Sequence, residues 1–270
     1  MNLSIEGRPE RADAIATIHA ALEAGAQLID TADCYALGDG DVGHNESLVR
    51  EALASWQGER PMVATKGGVV RPHGAWAHDG RPEHLRAACE ASLRALGVET
   101  IDLYQLHAVD ERVPIEESAG ELARLQQEGK VRHLGVSNVA LAELERAARV
   151  IDVAAVQNEA SPFVPEGLSD GVLAWCDAND VAFIAYAPTG GWRAGRIAHL
   201  PALQRVAEAV GASPFEVALA WILSMSPALI ALSGASRPEN ARSSMLAAHL
   251  VLDERHTQAL DAAFAAALGA

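Results

Sequence analysis

A regular alternation of short apolar runs and longer amphipathic segments extends along the whole chain, and it constrains the fold more than any other feature. The apolar runs predict strands at residues 26–30, 61–66, 100–107, 131–137, 153–157, 181–187 and 228–233. The amphipathic segments predict helices at 9–24, 45–56, 82–96, 115–128, 140–149, 168–179, 214–225 and 254–267. A strand followed by a helix, repeated throughout, predicts an α/β fold with a parallel sheet, either open and doubly wound or closed into an eight-stranded barrel.

A closed barrel needs an eighth strand, and Asn2-Leu3-Ser4-Ile5 is the remaining segment that can supply it. We expect this segment to be the tail of a truncated first strand whose beginning would precede Met1. The 270 residues contain no Pro- or Gly-rich linker. Since parallel barrels commonly reach about 250 residues as one unit, a single domain over residues 1–270 is predicted.

Composition argues against several classes of function. A formal net charge of −15 opposes binding to the phosphates of nucleic acids. The apolar runs are shorter than the roughly 20 residues of a membrane span, and the first residues do not resemble a secretory signal, so a cytoplasmic protein is expected. The cysteines Cys34, Cys89 and Cys176 are widely spaced without a C-x-x-C pair, which predicts reduced thiols.

A G-x-G-x-x-G run at Gly38, Gly40 and Gly43 raises the question of a dinucleotide-binding fingerprint. That fingerprint needs its first glycine directly at a strand end, whereas the predicted strand ends near Asp30. Asp39 and Asp41 would also repel a pyrophosphate. The run is therefore interpreted as a surface loop, followed by Asn45 as the cap of a helix.

Polar or ionisable residues close the predicted strands, at the edge where parallel α/β folds carry their active sites. They are Asp30, Lys66, His107, Ser137, Asn138, Gln157, Tyr186, Ser233 and Gly234. Tyr35 follows Asp30 by five residues. Each has an ordinary structural explanation, such as a turn cap for Asp30, a solvent-directed Lys66 or a packed His107. Their joint occurrence at the strand ends is what favours a catalytic role over these structural explanations.

Asp30, Tyr35, Lys66 and His107 are suited to protonating a carbonyl oxygen while a hydride reaches its carbon. Because a phenol has an ordinary pKa of about 10, it needs a nearby cation to act as an acid near neutrality. Lys66 can supply the cation and Asp30 can hold it in place. His107 can donate a hydrogen bond to the carbonyl oxygen, and no metal is required.

At this point the chain resembles the aldo-keto reductase superfamily, the NAD(P)H-dependent carbonyl reductases with a (β/α)8 TIM barrel. The motifs that carry the resemblance are IDTADCY (29–35), GHNE (43–46), ATKGG (64–68), IDLYQLH (101–107), GVSN (135–138), VQNEASP (156–162), IAYAP (184–188) and SGASRPEN (233–240). The resemblance implies a small-molecule carbonyl substrate and a catalytic tetrad of Asp30, Tyr35, Lys66 and His107. It also implies an extended cofactor without a glycine fingerprint.

The resemblance further implies which residues hold the cofactor. Ser137, Asn138 and Gln157 would bind its carboxamide, and Tyr186 would stack on the nicotinamide ring. Ser233, Gly234, Ser236 and Arg237 would surround the adenosine phosphates. The family often has basic residues where this chain has Gly234 and Asn240, so Arg237 is the remaining partner for a 2′-phosphate. NADP(H) is favoured over NAD(H), and NAD(H) stays open.

The chain ends soon after the last predicted helix, so the substrate walls are expected from other loops, with Trp76, Trp192 and Arg193 as candidates. Two alternatives to a reductase remain. One is an aldolase that forms a Schiff base at Lys66, which requires an unprotonated amine. The other is a cofactor-binding redox sensor or regulatory barrel without significant turnover. The sequence does not fix the carbonyl substrate, the direction of the reaction or the oligomeric state.

Overall fold

The computed structural model describes residues 1–164 and 166–268 and divides into two compact units. The first unit comprises Met1–Val156 and Gly234–Ala241, and the second comprises Gln157–Ser233 and Arg242–Ala270. The prediction of one domain over residues 1–270 is not tested by this division and stays a prediction.

The first unit is built around parallel strands. These strands are β1 (Leu28–Asp30), β2 (Met62–Gly67), β5 (Ile101–Leu106) and β6 (Val131–Ser137), in the order β1-β2-β5-β6. Asp30 lies opposite Ala64, and Lys66 lies opposite Gln105. Strands β2 and β5 are buried at nearly every position, as is typical of parallel strands covered on both faces.

The helices of the first unit alternate with these strands. They are α1 (Arg11–Glu23), α2 (His44–Ser55), α3 (Pro82–Leu96), α4 (Ile115–Gln127) and α5 (Leu141–Ala147). Helix α3 shows why the boundaries were predictable, since Pro82 occupies its first turn and Gly97 ends it in the left-handed region at φ 68°. A short antiparallel hairpin, β3 (Val69–Val70) and β4 (Ala77–His78), follows β2 and was not predicted.

The strand β7 (Val153–Glu159) begins in the first unit and ends in the second, where β8 (Ala182–Tyr186) pairs in parallel with β9 (Leu229–Leu232). The helices in this part are α6 (Glu166–Ser169), α7 (Val172–Asn179), α8 (Pro201–Val210), α9 (Pro214–Leu223) and α11 (Glu254–Leu268). Helix α10 (Pro238–Leu246) begins in the first unit and ends in the second. Helix α9 is buried along most of its length and begins with a capping box between Ser213 and Glu216.

Two predictions about local structure are wrong. Residues 2–7 form turns and bends instead of the tail of a strand, and the Ser4 hydroxyl is buried beside α2, where it accepts a hydrogen bond from Asn45 Nδ2 (2.7 Å). Asn45 does not cap that helix, because α2 already begins at His44 after Gly43, which has φ 83°. Asn45 Oδ1 accepts a hydrogen bond from the Thr31 hydroxyl (2.7 Å) instead.

Within the described part of the chain, no single helix has the length and apolar character needed to cross a membrane. The pair Pro201–Val210 and Pro214–Leu223 meets that criterion only when its two members, bent by 92°, are counted together.

Candidate active site

Lys66 is the centre of the candidate active site. It lies near the end of β2 with its side chain fully buried, and its ammonium donates three hydrogen bonds. The acceptors are Asp30 Oδ2 (2.5 Å), the Thr31 carbonyl oxygen (2.9 Å) and the Tyr35 hydroxyl (3.4 Å). All three ammonium hydrogens therefore have a partner, and the carboxylate compensates the buried charge.

Continued pairing beyond β1 brings the Tyr35 loop to Lys66. The Thr31 N–H donates to the Ala64 carbonyl (2.8 Å), and the Asp33 N–H donates to the Lys66 carbonyl (3.3 Å). Tyr35 is 8% exposed, and its ring centroid lies 5.2 Å from Lys66 Nζ. The phenol is thus held beside a cation in a region with little water.

His107 lies directly after β5, and backbone contacts fix its position. Its N–H donates to the Gly67 carbonyl (2.9 Å), and its own carbonyl accepts from Asn138 Nδ2 (2.9 Å). The imidazole meets the Tyr35 ring edge to face, with centroids 5.6 Å apart at 79°. The structure therefore brings together all four residues predicted for the tetrad.

The His107 ring is neutral near pH 7. Burial, followed by the positive charge of Lys66, holds the pKa of the imidazole well below its usual value. The Nδ1 atom lies 3.4 Å from Cys34 Sγ. A thiol that donates to Nδ1 leaves the ring proton on Nε2, which is the tautomer that can donate a hydrogen bond to a carbonyl oxygen.

Sequence reasoning missed Asp33 and Cys34 as neighbours of the site, although both belong to the motif that ends at Tyr35. Cys34 is 1% exposed and Asp33 is 5% exposed. Burial, with the nearby Glu46 as the second cause, raises the pKa of the Asp33 carboxyl to about 8. Their position just before Tyr35 in a loop that follows a strand is the signal that could have identified them.

The residues predicted to hold a nicotinamide have suitable chemistry. Ser137 is buried, and its hydroxyl accepts a hydrogen bond from Asn138 Nδ2 (3.1 Å). Asn138 has φ 56°, a left-handed conformation that asparagine tolerates better than most residues. In the second unit Gln157 is buried and Tyr186 is half-buried. The hydroxyl and amide groups match the donors and acceptors of a carboxamide, and Tyr186 offers an aromatic ring.

The segment predicted to meet the adenosine phosphates is more exposed. The Ser233 hydroxyl shares a hydrogen bond with the Ser244 hydroxyl (2.8 Å). Gly234 is exposed and Ser236 is half-buried. The exposed guanidinium of Arg237 lies 3.3 Å from Glu239 Oε1, so an approaching phosphate must compete with a carboxylate for this arginine.

The residues predicted to line the substrate site, Trp76, Trp192 and Arg193, differ in their exposure and in their contacts. Trp76 is 52% exposed, and the Arg71 guanidinium lies 3.9 Å from its ring centroid. The same guanidinium donates a hydrogen bond to the carbonyl of Ala36, the residue after Tyr35 (2.7 Å). In the second unit Trp192 is 89% exposed. Arg193 donates to the Phe163 carbonyl (3.2 Å) and lies near Glu159, so its charge is partly compensated.

Comparison with known proteins gives consistent matches over most of the chain. The model of the "Aldo/keto reductase family" matches residues 1–265. An uncharacterized oxidoreductase of Schizosaccharomyces pombe is 32% identical over 248 residues, which cover 92% of this chain and 78% of that protein.

Solved structures show the same similarity. The glycerol dehydrogenase of Gluconobacter oxydans is 31% identical with a TM-score of 0.85, covering 96% of this chain and 87% of that one. An aldo/keto reductase of Klebsiella pneumoniae, solved with NADP and acetate, is 26% identical with a TM-score of 0.81, covering 94% and 86%. These matches confirm the predicted (β/α)8 fold class, in which the first observed strand, β1, has only three residues.

Proposed function

This chain belongs to the aldo/keto reductase family and is an NAD(P)H-dependent oxidoreductase, and we propose that it reduces an aldehyde or a ketone to the alcohol with Tyr35 as the proton donor. The observation that carries the proposal is the contact of the Lys66 ammonium with both Asp30 Oδ2 (2.5 Å) and the Tyr35 hydroxyl (3.4 Å). A cation at this distance stabilises the phenolate that remains after the proton has left, which makes the phenol a stronger acid.

The proton moves from Tyr35 Oη to the carbonyl oxygen of the substrate. Asp30 keeps the Lys66 ammonium in place throughout, since the two side chains are 3% and 0% exposed and neither has bulk water as an alternative partner. His107 donates its Nε2 proton to the same carbonyl oxygen as a hydrogen bond. A fixed donor aimed at an atom that becomes more negative stabilises the transition state more than the ground state.

The cofactor supplies, when bound, the hydride that reaches the carbonyl carbon. Ser137, Asn138 and Gln157 are proposed to bind its carboxamide, with Tyr186 against the ring. Ser233, Gly234, Ser236 and Arg237 are proposed to contact its phosphates. NADP(H) is proposed ahead of NAD(H), and the NADP complex of the Klebsiella pneumoniae relative supports this choice.

Arg237 tests the cofactor preference. If its guanidinium binds the 2′-phosphate, Arg237→Ala should raise the KM for NADPH about tenfold or more while changing the KM for NADH little, because charge-assisted pairs with phosphate contribute about 1.5–3 kcal/mol. Arg255→Ala, which removes an exposed arginine outside residues 233–240, is the control. An unchanged ratio of the two KM values in Arg237→Ala would exclude Arg237 as the selector.

Trp76 is proposed as a wall of the substrate site, supported by its contact with Arg71 and through Arg71 with the Tyr35 loop. Trp192 and Arg193 are weaker candidates, because Arg193 already has polar partners in Glu159 and Phe163. The Schiff-base alternative requires a neutral amine at Lys66, and the adjacent Asp30 carboxylate favours the ammonium instead.

The decisive experiment is turnover of an aldehyde, sugar and quinone panel, followed by loss of NADPH absorbance, in wild type and Tyr35→Phe. The variant should lose turnover by about 10²-fold or more and keep its affinity for NADPH, because it lacks only the proton donor. Tyr104→Phe removes another buried phenol of the first unit and should retain wild-type turnover. Equal turnover in Tyr35→Phe and wild type would refute the proposal, and trapping of Lys66 by borohydride with substrate would favour the aldolase.

A further inference from the structure

Three side chains with metal-binding atoms converge at the edge of the tetrad, and one of them, His107, belongs to it. The carboxylate of Asp33, Cys34 Sγ and a ring nitrogen of His107 all lie within 4.8 Å of one another. Asp33 and Cys34 are almost fully buried, at 5% and 1% exposure, and His107 is partly buried. The reaction proposed above uses neither the Asp33 carboxyl nor the Cys34 sulfur as a reacting atom.

One polar atom of this cluster is buried without a hydrogen-bond partner among the described residues. Asp33 Oδ1 is buried and has no hydrogen-bond partner among the residues that the structure describes. An unpaired buried carboxyl oxygen carries a desolvation cost of about 1–3 kcal/mol or more. Because this oxygen belongs to the same cluster as a thiol and an imidazole, a bound cation is a chemically suitable partner for it.

The spacing matches a tetrahedral ion with nitrogen and sulfur ligands. Zinc lies about 2.3 Å from a thiolate and about 2.0–2.1 Å from an imidazole nitrogen, which places the two ligand atoms roughly 3.6 Å apart in tetrahedral geometry. Cys34 Sγ and His107 Nδ1 are 3.4 Å apart. Calcium and magnesium prefer all-oxygen ligands, so the thiol and imidazole favour zinc and other divalent ions that accept nitrogen and sulfur ligands, called here the zinc class.

We propose that Asp33, Cys34 and His107 form a binding site for a divalent cation of the zinc class. The ion takes the place of the thiol proton between Cys34 Sγ and His107 Nδ1, and the Asp33 carboxylate is its third ligand. The thiol proton and any carboxyl proton leave to solvent on binding. The two negative ligands balance the charge of the ion, while the nearby Lys66 ammonium is already balanced by Asp30.

Binding of Co²⁺ to the reduced full-length protein tests this site, because a cobalt–thiolate bond has a charge-transfer absorption that oxygen and nitrogen ligands do not give. One equivalent of Co²⁺ should produce the band, and Zn²⁺ should abolish it by displacement. Cys34→Ser should lose the band and Asp33→Asn should weaken binding. Cys176→Ser, which alters another buried free thiol, should keep it. Absence of the band in wild type, or its retention in Cys34→Ser, would overturn the site.

A second measurement needs no variant and therefore does not depend on whether Cys34→Ser folds. The X-ray absorption spectrum of wild-type protein with one equivalent of Zn²⁺ should show one sulfur together with nitrogen and oxygen ligands. A shell of nitrogen and oxygen alone would mean adventitious binding to surface side chains and would overturn the site. Both readouts report on the metal itself, so either failure leaves the proposed reductase activity unaffected.

Discussion

At the scale of single residues, the protein buries a lysine and an aspartate that touch each other. Replacing one member of such a pair leaves the other charge without compensation, which typically costs about 3–5 kcal/mol. The exposed pair of Arg146 and Glu116, 2.5 Å apart, provides a contrast, since water screens both of its charges. In the proposed reaction, the buried pair holds a cation beside the Tyr35 phenol.

Asp30→Asn tests that role. The free energy of unfolding should fall by about 3–5 kcal/mol, because the Lys66 ammonium stays buried without its carboxylate, and turnover should fall with it. Urea denaturation followed by circular dichroism measures the first effect. Glu116→Gln, which breaks the exposed pair, should change the stability much less. Equal losses in the two variants would contradict the assignment of Lys66 and Asp30 as a buried pair.

Much of the candidate site was predictable at this scale, and the reason is topological. Asp30, Lys66 and His107 each stand at or next to the carboxyl end of a parallel strand, where such folds gather polar groups. The contact between Cys34 and His107 was not predictable, because it depends on the path of the loop after β1. Periodicity carries no information about the path of such a loop.

At the scale of elements, β2 and β5 pack so closely that only glycine fits at one point. A Cβ atom on Gly67, which ends β2, would lie 2.1 Å from the Tyr104 hydroxyl of β5 and 3.1 Å from its ring carbon Cζ. Tyr104 is fully buried, so its ring has little space in which to move away. This glycine immediately follows Lys66, and the tight packing fixes the strand end that carries the ammonium.

Gly67→Ala should therefore lower the free energy of unfolding by about 1–3 kcal/mol, as expected for overpacking in a close-packed core. The double variant Gly67→Ala/Tyr104→Phe should recover part of that loss, because it removes the oxygen that the methyl group would strike. Thermal or urea unfolding of the two single variants and the double variant gives the coupling energy. Strict additivity of the two changes would contradict the proposed contact.

The predicted elements differ from the observed ones where local signals were weak or were not used. The helix predicted at 168–179 is divided into α6 and α7, because Gly171 adopts φ 93° and the Asp170 carboxylate accepts the Val172 N–H (2.9 Å). Helix α8 was missed, although Pro201 in its first turn and Gly211 after its end are standard boundary signals. The strands were located better, since each is a compact apolar run.

At the scale of the whole molecule, the alternating pattern predicted a parallel α/β fold, either open or closed. The family resemblance pointed to the (β/α)8 barrel, and the similar structures confirm that fold class. The pattern failed at the N-terminus, because a short segment such as residues 2–5 contains too few positions for its period to be recognised. There the buried Ser4 hydroxyl pairs with side chains of α2, and such long-range contacts override a local preference for strand.

The central claim is that the Tyr35 phenol, activated by the Lys66 ammonium, supplies the proton to the carbonyl oxygen. The most direct test is the pH dependence of kcat in a protein that carries a fluorinated tyrosine of lower phenol pKa at position 35. If Tyr35 is the acid, the alkaline limb of the profile should move to lower pH, because the donor loses its proton earlier. The same replacement at Tyr104 should leave the limb in place. An alkaline limb that does not move with fluorination at position 35 would show that another group donates the proton.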